Sequence, residues 1–124
     1  MSSKSKILFY GFSTTDLKNL DIKYDMVNIN EQMEDMIIKD ILELNTNENI
    51  DKDKKEKIIL FSNLEDNELN NIIPIIRKHL GKEPILAVVT PISINWTFSD
   101  LKKELIRERD YFSNLQAGKE KNNE

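Results

Sequence analysis

The chain has no cysteine, one histidine and one tryptophan, and only three glycines and three prolines among 124 residues. Without cysteine there are no disulfides, thiolate zinc sites, iron–sulfur ligands or cysteine nucleophiles. Small secreted domains usually need such staples, so the composition points to the cytosol. With so few glycines, neither a G-x-G-x-x-G nor a Walker A phosphate loop exists. Long apolar runs are missing too. Ile72–Ile76, interrupted by Pro74, and Pro84–Val89 are the longest, far short of a membrane span of ~18–20 residues. Ile7–Tyr10 is too short for the apolar core of a signal peptide, which needs ~7–15 residues. Net charge is −4 at pH 7, which gives no bulk attraction to nucleic acid or anionic lipid. The one basic cluster, Lys52–Lys57, is diluted by Asp53 and Glu56 and reads as a solvated loop.

What remains is one domain with a modest core. Short apolar runs alternate with amphipathic ones. Ile7–Tyr10, Tyr24–Ile29, Ile58–Phe61 and Pro84–Thr90 predict strands. Thr15–Leu20, Glu31–Leu44, Glu65–Leu80 and a stretch from Thr97 to about Leu115 predict helices. In the second helix Met33, Met36, Ile37, Ile41 and Leu44 share one face. In the third, Leu69, Ile72, Ile73, Ile76 and Leu80 do, and Pro74 predicts a kink or split near Asn71. Met26, Met33 and Met36 read as core filler. Residues 1–116 form the expected domain, with a flexible loop at 45–57 and a disordered tail at 117–124. Four β–α units predict an α/β, doubly wound sandwich. Its four-stranded sheet is mainly parallel, in order 2-1-3-4, with helices on both faces.

In an open parallel sheet, ligands gather outside the carboxyl ends of the strands. That edge nominates Ser13, Thr14, Ser62, Thr90, Asn95, Trp96 and Thr97 as ligand contacts. Ordinary caps and turns explain the same residues and are the favoured reading. His79 is expected at the far end of the sheet, out of reach of these hydroxyls. No catalytic set and no metal site is visible, and no cofactor is implied. Acids at Glu31, Glu34, Asp35, Glu65 and Asp66 are accounted for by helix dipoles.

The stretch Ile58–Glu108 reads Ile-Ile-Leu-Phe-Ser, then Glu-Asp-Asn-Glu-Leu from Glu65. It continues with Ala-Val-Val-Thr-Pro to Pro91 and the step Asn95-Trp96-Thr97. This stretch resembles the domain-of-unknown-function family numbered 3783, small proteins of clostridial bacteria. The resemblance implies a cytosolic bacterial α/β protein with no assigned activity, and it supplies no catalytic residues.

Three functions compete. The first is a non-enzymatic interaction module. With order 2-1-3-4, the fourth strand is an uncharged edge, which soluble proteins usually blunt or cover. A homodimer is therefore expected. The second is a small-molecule regulator that takes a nucleotide-like or phosphorylated metabolite at the sheet's carboxyl edge. The third is an enzyme working through hydroxyls and carboxylates, disfavoured for want of a catalytic constellation. No nucleic acid or membrane partner is expected.

Overall fold

The structure is a computed structural model, and it describes residues 5–18, 20–44 and 54–122, with side chains through Ser113. Four strands form one sheet: β1 (Lys6–Tyr10), β2 (Asp25–Ile29), β3 (Ile58–Ser62) and β4 (Ile85–Val88). Their order is β2-β1-β3-β4, as the sequence predicts. The helices are α1 (Thr14–Lys18), α2 (Ile38–Ile41), α3 (Asp66–Leu80) and α4 (Phe98–Asn122). Two short 3-10 turns stand at Glu31–Met33 and Ser93–Asn95.

β1 and β3 fill the centre and are buried along their whole length. Residues alternate between the two sheet faces, and the core splits accordingly. One face carries Leu8, Tyr10, Val27, Ile29, Ile58 and Leu60, covered by Ile38 and Ile41 of α2 and Phe98 and Leu101 of α4. The other carries Ile7, Phe9, Ile59 and Phe61, covered by Leu17 of α1 and Ile72 and Ile76 of α3. Continuous apolar runs in the central strands follow from burial on both sides.

The sheet is mixed. β1–β2 and β3–β4 are parallel, but β1–β3 is antiparallel, with Lys6 opposite Ser62 and Tyr10 opposite Ile58. The path between β2 and β3 explains this. After β2 the chain descends the α2 face, and the Lys6 ammonium donates to the carbonyls of Leu42 and Leu44 at the start of β1. At residue 54 it is back at the other end, where the Lys54 N–H donates to the Gly11 carbonyl at 2.9 Å. β3 therefore starts where β1 ends. A single helical crossover would have left it parallel.

The continuous helix predicted over Glu31–Leu44 is instead a 3-10 turn, a break and the four-residue α2. The break has a cause in the segment before α4. Ile37 pairs with Thr97 in an antiparallel bridge. Phe98 N–H donates to the Met36 carbonyl at 2.9 Å, Ser99 N–H to that of Glu34 at 2.7 Å, and Ile38 N–H to that of Trp96 at 2.9 Å. These bonds replace the helical ladder. Ile37 turns outward and Ile38 enters the core.

Of the kink or split expected at Pro74, the split does not occur: α3 runs unbroken through it. The carbonyl freed by the proline belongs to Asn70, and both residues lie on the exposed side, where water can bond it. Of the loop expected at 45–57, residues 45–53 lie outside the described residues. Lys54 and Glu56 are tied down by Gly11 and Arg109. α4 extends past the Leu115 limit expected for it and reaches Asn122. It overlaps the tail expected from 117, of which residues 123–124 lie outside the description.

Candidate functional site

The antiparallel pair divides the nominated edge. Ser13 and Thr14 follow β1 at one end of the sheet. Ser62 ends β3, and Thr90, Asn95, Trp96 and Thr97 follow β4, at the other. The sequence reading assumed one common carboxyl edge; a sheet with β1 reversed against β3 has none.

Most of these residues are engaged locally. Ser13 Oγ accepts from the Asp16 N–H at 3.2 Å and caps α1. Thr14 lines a hollow of about 180 Å³ with Leu17, Lys18, Met26 and Asn28. Ser62 is buried opposite Lys6. Thr90 and Ser93 form a reciprocal turn. Ser93 Oγ accepts from the Thr90 N–H at 2.9 Å, and Thr90 Oγ1 accepts from the Ser93 N–H at 3.0 Å. Asn95 Nδ2 donates to the Pro91 carbonyl at 3.3 Å. Thr97 Oγ1 accepts from the Asp100 N–H at 3.2 Å and caps α4. Trp96 is 38% exposed and is bound mainly through its backbone. His79 is also relocated. α3 ends where β1 ends, so this residue lies at the Ser13 end of the sheet, its side chain exposed and without a hydrogen bond or ion pair among the described residues.

A second cluster was not legible in the sequence. The Tyr10 hydroxyl, on the buried end of β1, donates to Glu34 Oε2 at 3.2 Å and accepts from Lys102 Nζ at 3.3 Å. Lys102 also pairs with Glu34, and Lys54 with Glu31. The ammonium groups of Lys102 and Lys54 stand 5.0 and 6.0 Å from the Tyr10 ring centroid. Burial pushes the Tyr10 phenol above its ordinary value, opposed by the Lys102 ammonium. Hydrogen bonding to Glu34 holds Lys102 above the usual lysine range despite its partial burial. Hydrogen bonding to Glu31 raises Lys54 likewise. A phenol and two ammonium groups with raised values keep their protons at neutral pH, so none of these three groups is a general base. Each cation has a carboxylate partner. The network ties β1, the turn after β2 and α4 together across 92 residues of sequence, a separation no local pattern signals.

Nearby, Arg109 of α4 grips Glu56 with two nitrogens, at 2.6 and 3.3 Å, and that bond holds the Glu56 carboxyl below its ordinary value. No group of three or more histidines or carboxylates among the described residues is placed to hold a metal ion.

The remaining candidate is a strand edge. Ile85 and Val89 donate to the carbonyls of Lys57, just before β3, and Phe61 within it. In a parallel ladder the alternate residues, Leu86 and Val88, turn their backbone groups outward. β4 carries no charge, and Val88 is 47% exposed. Ile92 and Trp96, both exposed, follow it in the chain. On the approach to β4, Arg77 donates to the Lys82 and Pro84 carbonyls, both at 2.9 Å. That contact fixes where the edge begins. Among the described residues no helix is long and apolar enough to cross a membrane.

Residues 57–112 match the family described as Domain of unknown function (DUF3783). The matched stretch takes in β3, α3, β4 and the first half of α4, and so includes the β4 edge. It leaves out β1, α1 and β2. Comparison with curated proteins and with solved structures finds no match.

Proposed function

We propose that this chain is a non-enzymatic, cytosolic interaction module that self-associates through the outer edge of β4 into a homodimer. The observation that carries the reading is the edge itself: four apolar residues, no charge, and the amide groups of Leu86 and Val88 facing out. Edge strands of stable monomers are normally kept short or protected by lysine, proline, a bulge or a covering element, and β4 is short but carries no charge, proline or bulge within it. Pairing with a second β4 would continue the sheet through main-chain hydrogen bonds. A symmetric edge pairing is antiparallel and gives a closed two-fold dimer.

The small-molecule alternative has less support. It needs the seven nominated residues around one ligand, and they stand at two ends of the sheet with their hydroxyls in caps and turns.

Native mass spectrometry and light scattering test the proposal. The expected mass is twice 14.5 kDa, and Val88→Lys should give a folded monomer with unchanged circular dichroism. A wild-type monomer at micromolar concentration overturns the reading, as does a dimer indifferent to Val88→Lys.

A further inference from the structure

On the face away from α2 and α4, a groove of about 510 Å³ runs between α3 and the segment leading into β2. It is a second surface, separate from the β4 edge, and lies toward the opposite edge of the sheet. One wall is Asp21–Tyr24. The other is the α3 stripe Asn67, Asn71 and Ile75, with Glu68 and Ile72 beside it. The Tyr24 hydroxyl donates to Glu68 Oε2 at 2.8 Å and ties the walls together. Glu68 Oε1 accepts from the Glu65 N–H at 3.0 Å, so this carboxylate is fixed by two donors and stays ionised.

We propose that this groove binds an extended peptide segment of a partner protein that carries a basic side chain. Three features support that occupant. Asn67 and Asn71 are one helical turn apart, with Cβ atoms ~5–6 Å from each other. Same-facing backbone groups of an extended chain repeat every two residues, at roughly 6.6–6.8 Å. An amide can donate and accept. The Asn71 side chain makes no hydrogen bond among the described residues, and the Asn67 side chain uses only its Oδ1, on the Glu68 N–H at 2.9 Å. These amides can therefore pair with a peptide backbone. The charge is complementary as well. The lining carries Asp21 and Glu68 against Lys23, whose ammonium already sits over the Tyr24 ring at 5.5 Å. Glu65 and Asp66, in and just before the first turn of α3, add to the negative potential. Lastly, Ile72 forms an apolar floor and Ile75 is 41% exposed, giving alternate side chains a dry surface.

The test uses the whole chain, isotopically labelled, titrated with an acetylated and amidated hexapeptide of alternating lysine and valine. Controls are the glutamate–valine counterpart and lysine amide alone. Amide resonances of residues 21–24, 67–73 and 75 should shift with the lysine peptide only. Asp21→Lys and Asn71→Ala, both at exposed positions, should each weaken binding about tenfold or more. Three outcomes overturn the proposal: no shift at millimolar peptide, equal shifts with the glutamate peptide, or equal binding of lysine amide, which would mean a site for a free cation. The β4 edge lies outside these probes, and a monomeric Val88→Lys variant should bind the peptide as wild type does.

Discussion

Lys6 stands directly across from Ser62, so the first residue of β1 faces the last residue of β3. The chain has no cysteine of its own, which makes this pairing easy to check. Oxidation of a Lys6→Cys, Ser62→Cys variant should close an intramolecular bridge. Cross-strand Cβ atoms lie ~4.5–5.5 Å apart, near the reach of a disulfide. A Tyr10→Cys, Ser62→Cys variant should stay reduced. Bridging in the second variant and not the first would mean a fully parallel sheet.

Gly11 is the turn that cannot take a side chain. Its φ is +92°, and a Cβ there would sit 2.2 Å from the Glu56 carbonyl oxygen. Gly11→Ala should destabilise the fold by about 2 kcal/mol or more. Gly81 has φ +88° but open space around it. Gly81→Ala should therefore cost only the conformational strain, on the order of 1–2 kcal/mol. Urea unfolding of both variants gives the ranking, and the reverse order would contradict the close approach of residues 56 and 11.

Pro74 offers a stabilising change. It sits inside α3 on the solvent side. Alanine restores one helical bond and about 3 kcal/mol of helix preference, while the unfolded chain regains ~0.4–1 kcal/mol of entropy. Pro74→Ala should raise stability by about 2 kcal/mol. An unchanged melting temperature would show that the helix had already absorbed the proline's cost.

The Glu56–Arg109 pair sets an acid limb. The folded-state pKa of Glu56 is depressed, so its contribution is present above the ordinary carboxylate value of ~4.3 and fades as pH falls through the folded value. Glu56 is partly exposed, which limits the pair to about 0.5–1 kcal/mol. Glu56→Gln should flatten the stability profile below about pH 4.5 and lower stability at neutral pH by that amount.

Tyr10 sets an alkaline limb by the opposite sign. Its folded-state pKa is raised, so the folded state holds a proton that the unfolded state releases near pH ~10. Its contribution is complete below that value and is lost as pH climbs through the folded value. In Tyr10→Phe the alkaline fall should be shallower, as read by chemical unfolding at stepped pH. An identical slope would assign the fall to other groups.

The strands were legible because each is a short apolar run bounded by turn residues. Their order is the one that right-handed β–α connections favour, although the link from β2 to β3 is long and reverses the strand. The α3 stripe from Leu69 to Leu80 faces the core as its spacing predicts. The orientation of β3 could not be read, since it depends on which end of β1 the chain occupies at residue 54. That position is fixed by Gly11, a long-range contact without a periodic signature. The break at Ile37 was hidden for the same reason. Its backbone partner, Thr97, is 60 residues away. Of the nominated site, Ser13 and Thr97 are helix caps, the local alternative that the sequence also allows. The common edge that would have joined them to a ligand depended on the orientation that was missed.

One feature of the fold also bears on how the chain is made. The face that carries Leu8, Tyr10, Ile58 and Leu60 is closed by Phe98 and Leu101, which leave the ribosome last among these residues. Elongation proceeds at ~5–20 residues per second, so the two central strands wait several seconds for their cover. Through that interval the nascent chain presents an apolar sheet face covered only on its α2 side, by Ile38 and Ile41. A messenger truncated before the codon for Phe98 would yield a product of that kind permanently, a natural client for chaperones and proteases.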